Sequence, residues 1–363
     1  MILTKLFVEI DDFMKEFELV MKQGLLGDGT IKRDRDTKLS LSEIMTIEVY
    51  FQMSGYRNFK DYYIKHVNRY LKGAFPNVLS YKRFVALKSR VMLPLAAFMK
   101  SRRMGKCTGI SFVDSTTIVV CHSRRIHQHH VFQGLAQRGK SSTGWFYGFK
   151  LHLIVNEHGD ILDFVFTPGN IDDRNEKMMD KLTKRIVGKL IGDKGYLSKK
   201  LFELLWDKKI QLITKIKKNM TNVLMPLIDK LLLRKRALIE SINDQLKNIS
   251  QLEHTRHRSP INAMVNWISA LVAYSYQEKN HRLISLPIRK ICLWLKRDSR
   301  YFRHFQRLLN LLVTLWRLNQ FHKYLLIYQT AFSLLIYFSY SVEITSTVPH
   351  WMNTVHLLKN DSL

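Results

Sequence analysis

The sequence predicts a mixed α/β domain preceded by a helical region, and three observations predict it. Apolar residues recur at three- and four-residue steps over residues 1–105. From about residue 108 the pattern turns to β-branched and aromatic runs. From about residue 174 helical and strand-like segments alternate. The 363 residues suffice for two domains, and a hydrophobic content of 46% suffices for a real core.

In the helical region the amphipathic period is carried by LSLSEIMTIEVYFQMSGY and YKRFVALKSRVMLPLAAFM. Gly55 stops the first run, Asn58 is placed to cap a helix at NFKDYYIKHVNRYL, and Ser80 the one after it. A small basic bundle of this kind suits a DNA-binding module of helix-turn-helix type and equally a plain structural bundle.

The strands follow in order. ISFVDSTTIVV is the first, WFYGFKLHLIVN the second and DILDFVFTP the third, with NEHGD as a hairpin turn between the last two. Trp145, Phe146, Tyr147 and Phe149 are expected to pack the sheet, and QRGKSSTGW just before them reads as a flexible loop. After GNIDD comes the amphipathic DDRNEKMMDKLTKRI, then a short strand KLIGD, a helix SKKLFELLWDKK and a strand QLITKIK. One long helix is expected from about Met220 to His254, and a last apolar helix at PINAMVNWISALVAYSY. The segment 279–363 is a basic, apolar extension. Its stretch YLLIYQTAFSLLIYFSYSV has no charge over about the length of a membrane span, yet its Tyr, Ser, Thr and Gln make it a poor transmembrane helix. A packed amphipathic helix, or sequence appended to a complete domain, is the better reading.

Lys and Arg number 58 against 30 Asp and Glu, a formal charge of +28, which attracts polyanions: nucleic acid first, with ribosome or membrane headgroups also open. Three cysteines without paired spacing exclude a disulfide framework and fit a reducing cytoplasm. The first twenty residues lack the layout of a secretory signal. CHSRRIHQHHVF clusters histidines, but the spacing fits no standard four-ligand zinc module, and a His-rich basic loop beside DNA explains it as well.

The chemistry rests on carboxylates. Asp114 stands inside the first strand, where an unpaired buried charge costs several kcal/mol, so it must sit at a strand end, hold a cation or be protonated. Asp193 ends the strand in KLIGDKGY, at the mouth where open α/β sheets place ligands. Glu240 lies on a helix stripe with Arg236 and Lys247, an arrangement that alone reads as a solvated surface pair. Together, three acids from a strand, a later strand end and a C-terminal helix are able to converge at one sheet edge and hold two Mg²⁺ ions. Such a site activates a water or a 3′-hydroxyl against a phosphodiester. Arg138 and Lys140 are candidate phosphate contacts, and Arg256 and Arg258 in HTRHRSP continue the basic track. Asp172 and Asp173 are expected to cap the following helix or to orient the site from behind its ligands.

The order of elements around Asp114, Asp193 and Glu240 resembles the DDE transposases of bacterial insertion sequences. GNIDDR looks like their GN-x-D-D-R element. Arg236, Glu240 and Lys247 reproduce R-x3-E-x6-K of the Tyr-Arg-Glu-Lys signature of the insertion-sequence four group, with Leu233 where that signature has tyrosine. Residues 1–278, through IGDKGYLSKKLFELL, LITKIKKNM and LVAYSYQ, are most similar to the insertion-sequence nine-eighty-two family. The resemblance implies a ribonuclease H-like catalytic core of retroviral-integrase type over 106–278, behind a helical, DNA-binding domain over 1–105. It implies a transposase that cleaves element ends and joins the 3′-OH to target DNA. Asp114, Asp193 and Glu240 would hold two Mg²⁺ ions, Mn²⁺ substituting, and Arg236, Lys247 and Lys194 would contact phosphate. No small-molecule cofactor is implied. The partners would be double-stranded DNA and a second copy in a synaptic complex, in a cytoplasmic, nucleoid-associated setting. A decayed copy that only binds DNA, and a stand-alone metal nuclease of the same fold, are the competing readings.

Overall fold

A computed structural model describes residues 2–27, 37–142, 144–216, 225–250, 252–253 and 257–277. The expected C-terminal extension with its uncharged stretch, and Arg256, lie outside the described residues. Among the described residues no helix is long and apolar enough to cross a membrane. The described residues up to 216 and from 233 to 277 belong to one compact unit, and residues 225–232 to a second.

Helices fill the described part of the first 102 residues. Helix α1 (Ile2–Gly27) buries Leu6, Ile10, Phe13 and Met14, a stripe at helical spacing. Helix α2 (Leu41–Met53) opens with a capping box: the Ser40 hydroxyl accepts from the Glu43 amide at 3.1 Å, and the Glu43 carboxylate accepts from the Ser40 amide at 2.7 Å. Past its end Gly55 adopts φ +74°, the left-handed turn that glycine tolerates. As expected, Asn58 caps α3 (Phe59–Asp61), which continues through a π-helical turn (Tyr62–Val67) into α4 (Asn68–Tyr70). Ser80 caps α5 (Tyr81–Leu87), and a 3₁₀ turn leads into α6 (Met92–Arg102).

The sheet has six strands: β1 (Ile110–Cys121), β2 (Gln137–Ser141), β3 (Gly144–Asn156), β4 (Ile161–Pro168), β5 (Gly188–Ile191) and β6 (Ile210–Ile213). The long strand β3 organises it. One edge pairs antiparallel with β1; the other pairs β2 over residues 144–148 and β4 over 149–155. On the far side of β1, β5 and β6 run parallel to it, so the sheet is mixed. Because side chains alternate, β1 and β3 send Val113 and Ile154 to one face, where they pack with Leu190 of β5, with Met179 of α7 (Glu176–Leu182), and with Leu201 and Leu205 of α8 (Lys199–Asp207). Another cluster gathers Phe132, Phe149 and Phe166 around Trp267 of the C-terminal helix Pro260–Ser275, with ring centroids 5.3–6.3 Å apart. That helix also packs on α2 and α6, and Gln52 donates to Asn266 Oδ1 at 2.8 Å.

Four expectations need correction. QRGKSSTGW is not a loop: its first half is β2, paired to β3 through Arg138↔Tyr147 and Lys140↔Trp145. Backbones there approach closely, for a Cβ on Gly139 would lie 2.1 Å from the carbonyl oxygen of Gly169, so only glycine fits. The long helix is two in its described part, α9 (Leu227–Lys235) and α10 (Ala237–Asn248), separated at Arg236, where the Ile239 amide bonds back three residues to the Arg236 carbonyl. Helix α7 is capped by Asn175, whose side chain accepts from the Met178 amide, and not by Asp172 or Asp173. Trp145 does not pack the sheet: it is 69% exposed, while Phe146 and Tyr147 beside it are buried.

Leu190 is fully buried between β1 and the α7–α8 layer. Leu190→Ala is expected to cost about 2–5 kcal/mol in urea unfolding; a loss within experimental error would show that this layer does not hold the sheet.

Candidate active site

Strand register brings the first two acids together. The parallel pairing of β1 with β5 ends at Phe112↔Ile191; Asp114 stands two residues beyond Phe112, and Asp193 two beyond Ile191. Asp114 is held on its other side by antiparallel pairing with Leu153. Helix α10 supplies the third acid, Glu240, and Asn243 one turn later, whose amide donates to Asp114 Oδ2 at 3.0 Å.

Arg236 joins them. Its Nη1 lies 3.3 Å from Asp193 Oδ1, and its Nη2 lies 2.6 Å from Glu240 Oε1 and 3.8 Å from Asp114 Oδ1. The guanidinium is only 14% exposed, whereas the side chains of Asp193 and Glu240 are 51% and 57% exposed, so the cluster has a buried base and an open mouth. The break between α9 and α10 falls at Arg236, where the side chain turns into the acids.

Burial pushes the Asp114 carboxyl up to about 6, against the pull of Arg236, of the Ser115 backbone and of Asn243, while the charge of Glu240 adds to the rise. Tyr196, wholly buried, is likewise raised by burial and by the nearby Asp173 and Asp114.

Lys247, one turn beyond Asn243, bonds Thr117 Oγ1 at 3.2 Å and pairs with Glu253 at 2.9 Å, so it lies along β1 past Asp114 and not in the guanidinium cluster. Lys194 follows Asp193 and is exposed, at the start of a 3₁₀ turn that ends at the buried Tyr196. It lines a cleft of about 700 Å³ together with Arg138, Lys140, Trp145, Lys150 and Arg174. Asp172 and Asp173 form part of its wall: Asp172 is held down to about 2 by hydrogen bonds from Arg174, and Asp173 accepts from Lys150 at 3.0 Å. Behind Asp173, at 3.8 Å, His152 is driven down to about 4 by burial. Arg258 is exposed, and its charge acts on Tyr81 of α5, which sets it beside the N-terminal helices.

Sequence reasoning missed Asn243 and Lys150, assigned Trp145 to sheet packing, and carried Arg174 only as the last residue of GNIDDR. Asn243 was findable, since Arg236, Glu240, Asn243 and Lys247 fall on one helical stripe. Nothing local assigns Trp145 or Lys150 to a site, because the cleft is made by β2, β3, the segment after β4 and the turn after β5.

The donor set fits a divalent cation in chemistry. It is made of hard carboxylate oxygens, and Asn243 Oδ1, buried with no hydrogen-bond partner, adds a free amide oxygen beside Asp114. In arrangement the acids meet a guanidinium, and among the described residues no group of three or more His, Cys, Asp or Glu is gathered tightly enough to hold a metal ion.

The raised Asp114 acid has a stability consequence. Its neutral form is the one the fold favours, so the stability it lends is full below pH 3.8 and is lost as pH rises through about 6. Asp114→Asn, neutral at every pH, is expected to exceed the wild type by about 1–3 kcal/mol at pH 7, with the gap closing toward pH 4. Denaturant melts across pH measure it; a gap independent of pH would contradict the assignment.

Residues 104–260 match the family model described as Transposase DDE domain, which supports a DDE transposase domain over this segment. No curated protein matches the chain. Among solved structures, the chain is similar to the cryo-EM structure of piggyBac transposase synaptic complex with hairpin DNA, at 11% identity and a TM-score of 0.38, over 83% of this chain and 81% of that one.

Proposed function

We propose that the chain, with its DDE transposase domain as premise, is a DNA transposase of a bacterial insertion element that cleaves the element's ends and joins the freed 3′-OH to target DNA. The observation that carries the reading is the meeting of Asp114, Asp193 and Glu240 around one guanidinium at the open end of a mixed sheet. The strand order, with β1 between an antiparallel β3 and parallel β5 and β6, supports a ribonuclease H-like core. The motifs over residues 1–278 favour the insertion-sequence nine-eighty-two family and kinship with the insertion-sequence four group.

Asp114, Asp193 and Glu240 would hold Mg²⁺, as two ions, or Mn²⁺ in its place. Bound there, the cations supply Lewis acidity for the attacking and leaving oxygens of a phosphodiester. The rest falls to the protein. Arg236, a planar fork, is suited to grip a phosphate once it leaves the acids, and Lys247 offers a point charge beside β1. Lys194, Arg138 and Lys140 extend the positive surface along the cleft; Arg258, beside the N-terminal helices, and Arg256 would contact DNA backbone as the sequence motif HTRHRSP suggests. Asp172 and Asp173 fix Arg174 and Lys150 in the cleft wall. The charge of +28 suits a polyanion, and the resemblance to insertion-sequence transposases implies a homodimer in a synaptic complex. Residues 1–105 would contribute to end binding, in a cytoplasmic, nucleoid-associated setting.

A second reading, a decayed transposase that binds DNA without cutting it, is favoured by one observation: Arg236 holds the place of a cation among all three acids. The two readings separate in a cleavage and strand-transfer assay on the element's own ends with Mg²⁺. The full chain is expected to cut and join, and Asp193→Asn to lose about a hundredfold or more while still binding the ends. Full activity in Asp193→Asn would overturn the mechanism, and end binding by the wild type without cleavage would favour the decayed copy.

A further inference from the structure

The proposed reaction sets Lys247 against phosphate, yet an acid of the same chain holds it. Its ammonium lies 2.9 Å from Glu253 Oε1 and donates to Thr117 Oγ1 at 3.2 Å. The Thr117 hydroxyl in turn donates to the same carboxylate oxygen at 3.5 Å, which closes a triangle. This triangle stands near the acids, since Asn243, one turn back on α10, donates to Asp114 at 3.0 Å. The chain past α10 fixes the carboxylate. There the Ser250 amide bonds back to the Gln245 carbonyl and the Leu252 amide to the Leu246 carbonyl, and Leu252 is fully buried. The backbone thus folds over the end of the helix and sets Glu253 against Lys247.

Stability does not account for the pair. Its side chains are 26% and 33% exposed, and water and salt screen such a contact, which adds little to folding. Nor does Lys247 need the acid to be aimed, because Thr117 alone ties its ammonium to β1. The other acids of the site have work in the proposed reading: Asp114, Asp193 and Glu240 toward cations, Asp172 and Asp173 in the cleft wall. Glu253 touches, among its described polar contacts, only Lys247 and Thr117. A phosphate that reaches this ammonium meets the carboxylate as a like charge. We propose that Glu253 competes with DNA phosphate for Lys247 and so restrains the affinity of the protein for DNA at this contact. The proposal rests on the transposase reading of the site and adds the restraint to it. Displacing Glu253 breaks the pair, and the freed carboxylate recruits a cation from solution, which offsets part of the counterion release that drives binding. A chain of formal charge +28 attracts any DNA, and the restraint falls one helical turn from the residue that holds Asp114.

The test is a double-mutant cycle in which the full chain binds a duplex of the element's terminal sequence, read by fluorescence anisotropy in EDTA to prevent cleavage. Glu253→Gln is expected to bind about fivefold more tightly than the wild type, and to steepen the fall of log affinity with log salt by about one. Lys247→Gln is expected to bind more weakly than the wild type, and adding Glu253→Gln to it is expected to change nothing. Urea midpoints within error of the wild type's are expected for both substitutions and report an intact fold. An equal gain with and without Lys247 would assign the effect to net charge and overturn the proposal. No gain would overturn it, as would weaker binding by Glu253→Gln, which would make the acid an aid to Lys247. All three outcomes leave the transposase reading in place. A wild type that binds neither this duplex nor an unrelated one would sink that reading and the inference with it.

Discussion

The guanidinium of Arg236 is the interaction on which the site depends. Three carboxylates drawn from β1, the end of β5 and α10 repel one another, and one of them, Asp114, is largely withdrawn from water. A buried acid without a counter-charge is costly, and a cation that all three reach offsets both terms at once. Arg236 does this at 14% exposure, so its own charge is partly desolvated and its stake in keeping the acids close is correspondingly large. Any divalent ion that takes its place must satisfy the same oxygens, and the arginine it displaces is then free for phosphate.

The sheet exists to bring these groups to one end. The pairing of β1 with β5 is short, and its last rung sets Asp114 and Asp193 at the same height. Strand β3 fixes the other edge of β1 over ten registered pairs, which leaves the first acid little freedom. The same strand carries β2 and β4 end to end, and the contact between Gly139 and Gly169 closes them into the wall of the basic cleft. The acid cluster and the basic cleft are thus two products of one strand arrangement. Gly169, the glycine of the GNIDDR motif, has a steric reason to be there: a Cβ on it would lie 2.7 Å from the carbonyl oxygen of Gln137.

Much of this was legible in the sequence. Strands such as ISFVDSTTIVV announce themselves by β-branched content, and a carboxylate in such a run is anomalous enough to mark Asp114. Glycine after KLIGD marked the strand end at Asp193, and helical spacing tied Glu240 to Arg236. What escaped was non-local. The periodicity of 227–248 is continuous, so nothing in it signals a break at Arg236; the break coincides with the turn of the guanidinium toward acids far away in the chain. Glycine, serine and threonine in QRGKSSTGW read as loop, because strand formation there comes from pairing with β3 and not from propensity. Trp145 looked like sheet packing because composition cannot tell a strand's covered half from its exposed tip.

The claim at the centre, that Asp114, Asp193 and Glu240 form one cation-binding site, has a direct physical test. Replacing Mg²⁺ by Fe²⁺ and adding peroxide and ascorbate generates radicals at the bound metal, and mass spectrometry locates the backbone cuts they make. The account predicts cuts clustered near residues 114, 193 and 240, suppressed by excess Mg²⁺. Cuts confined to other parts of the chain, or scattered without competition by Mg²⁺, would contradict it.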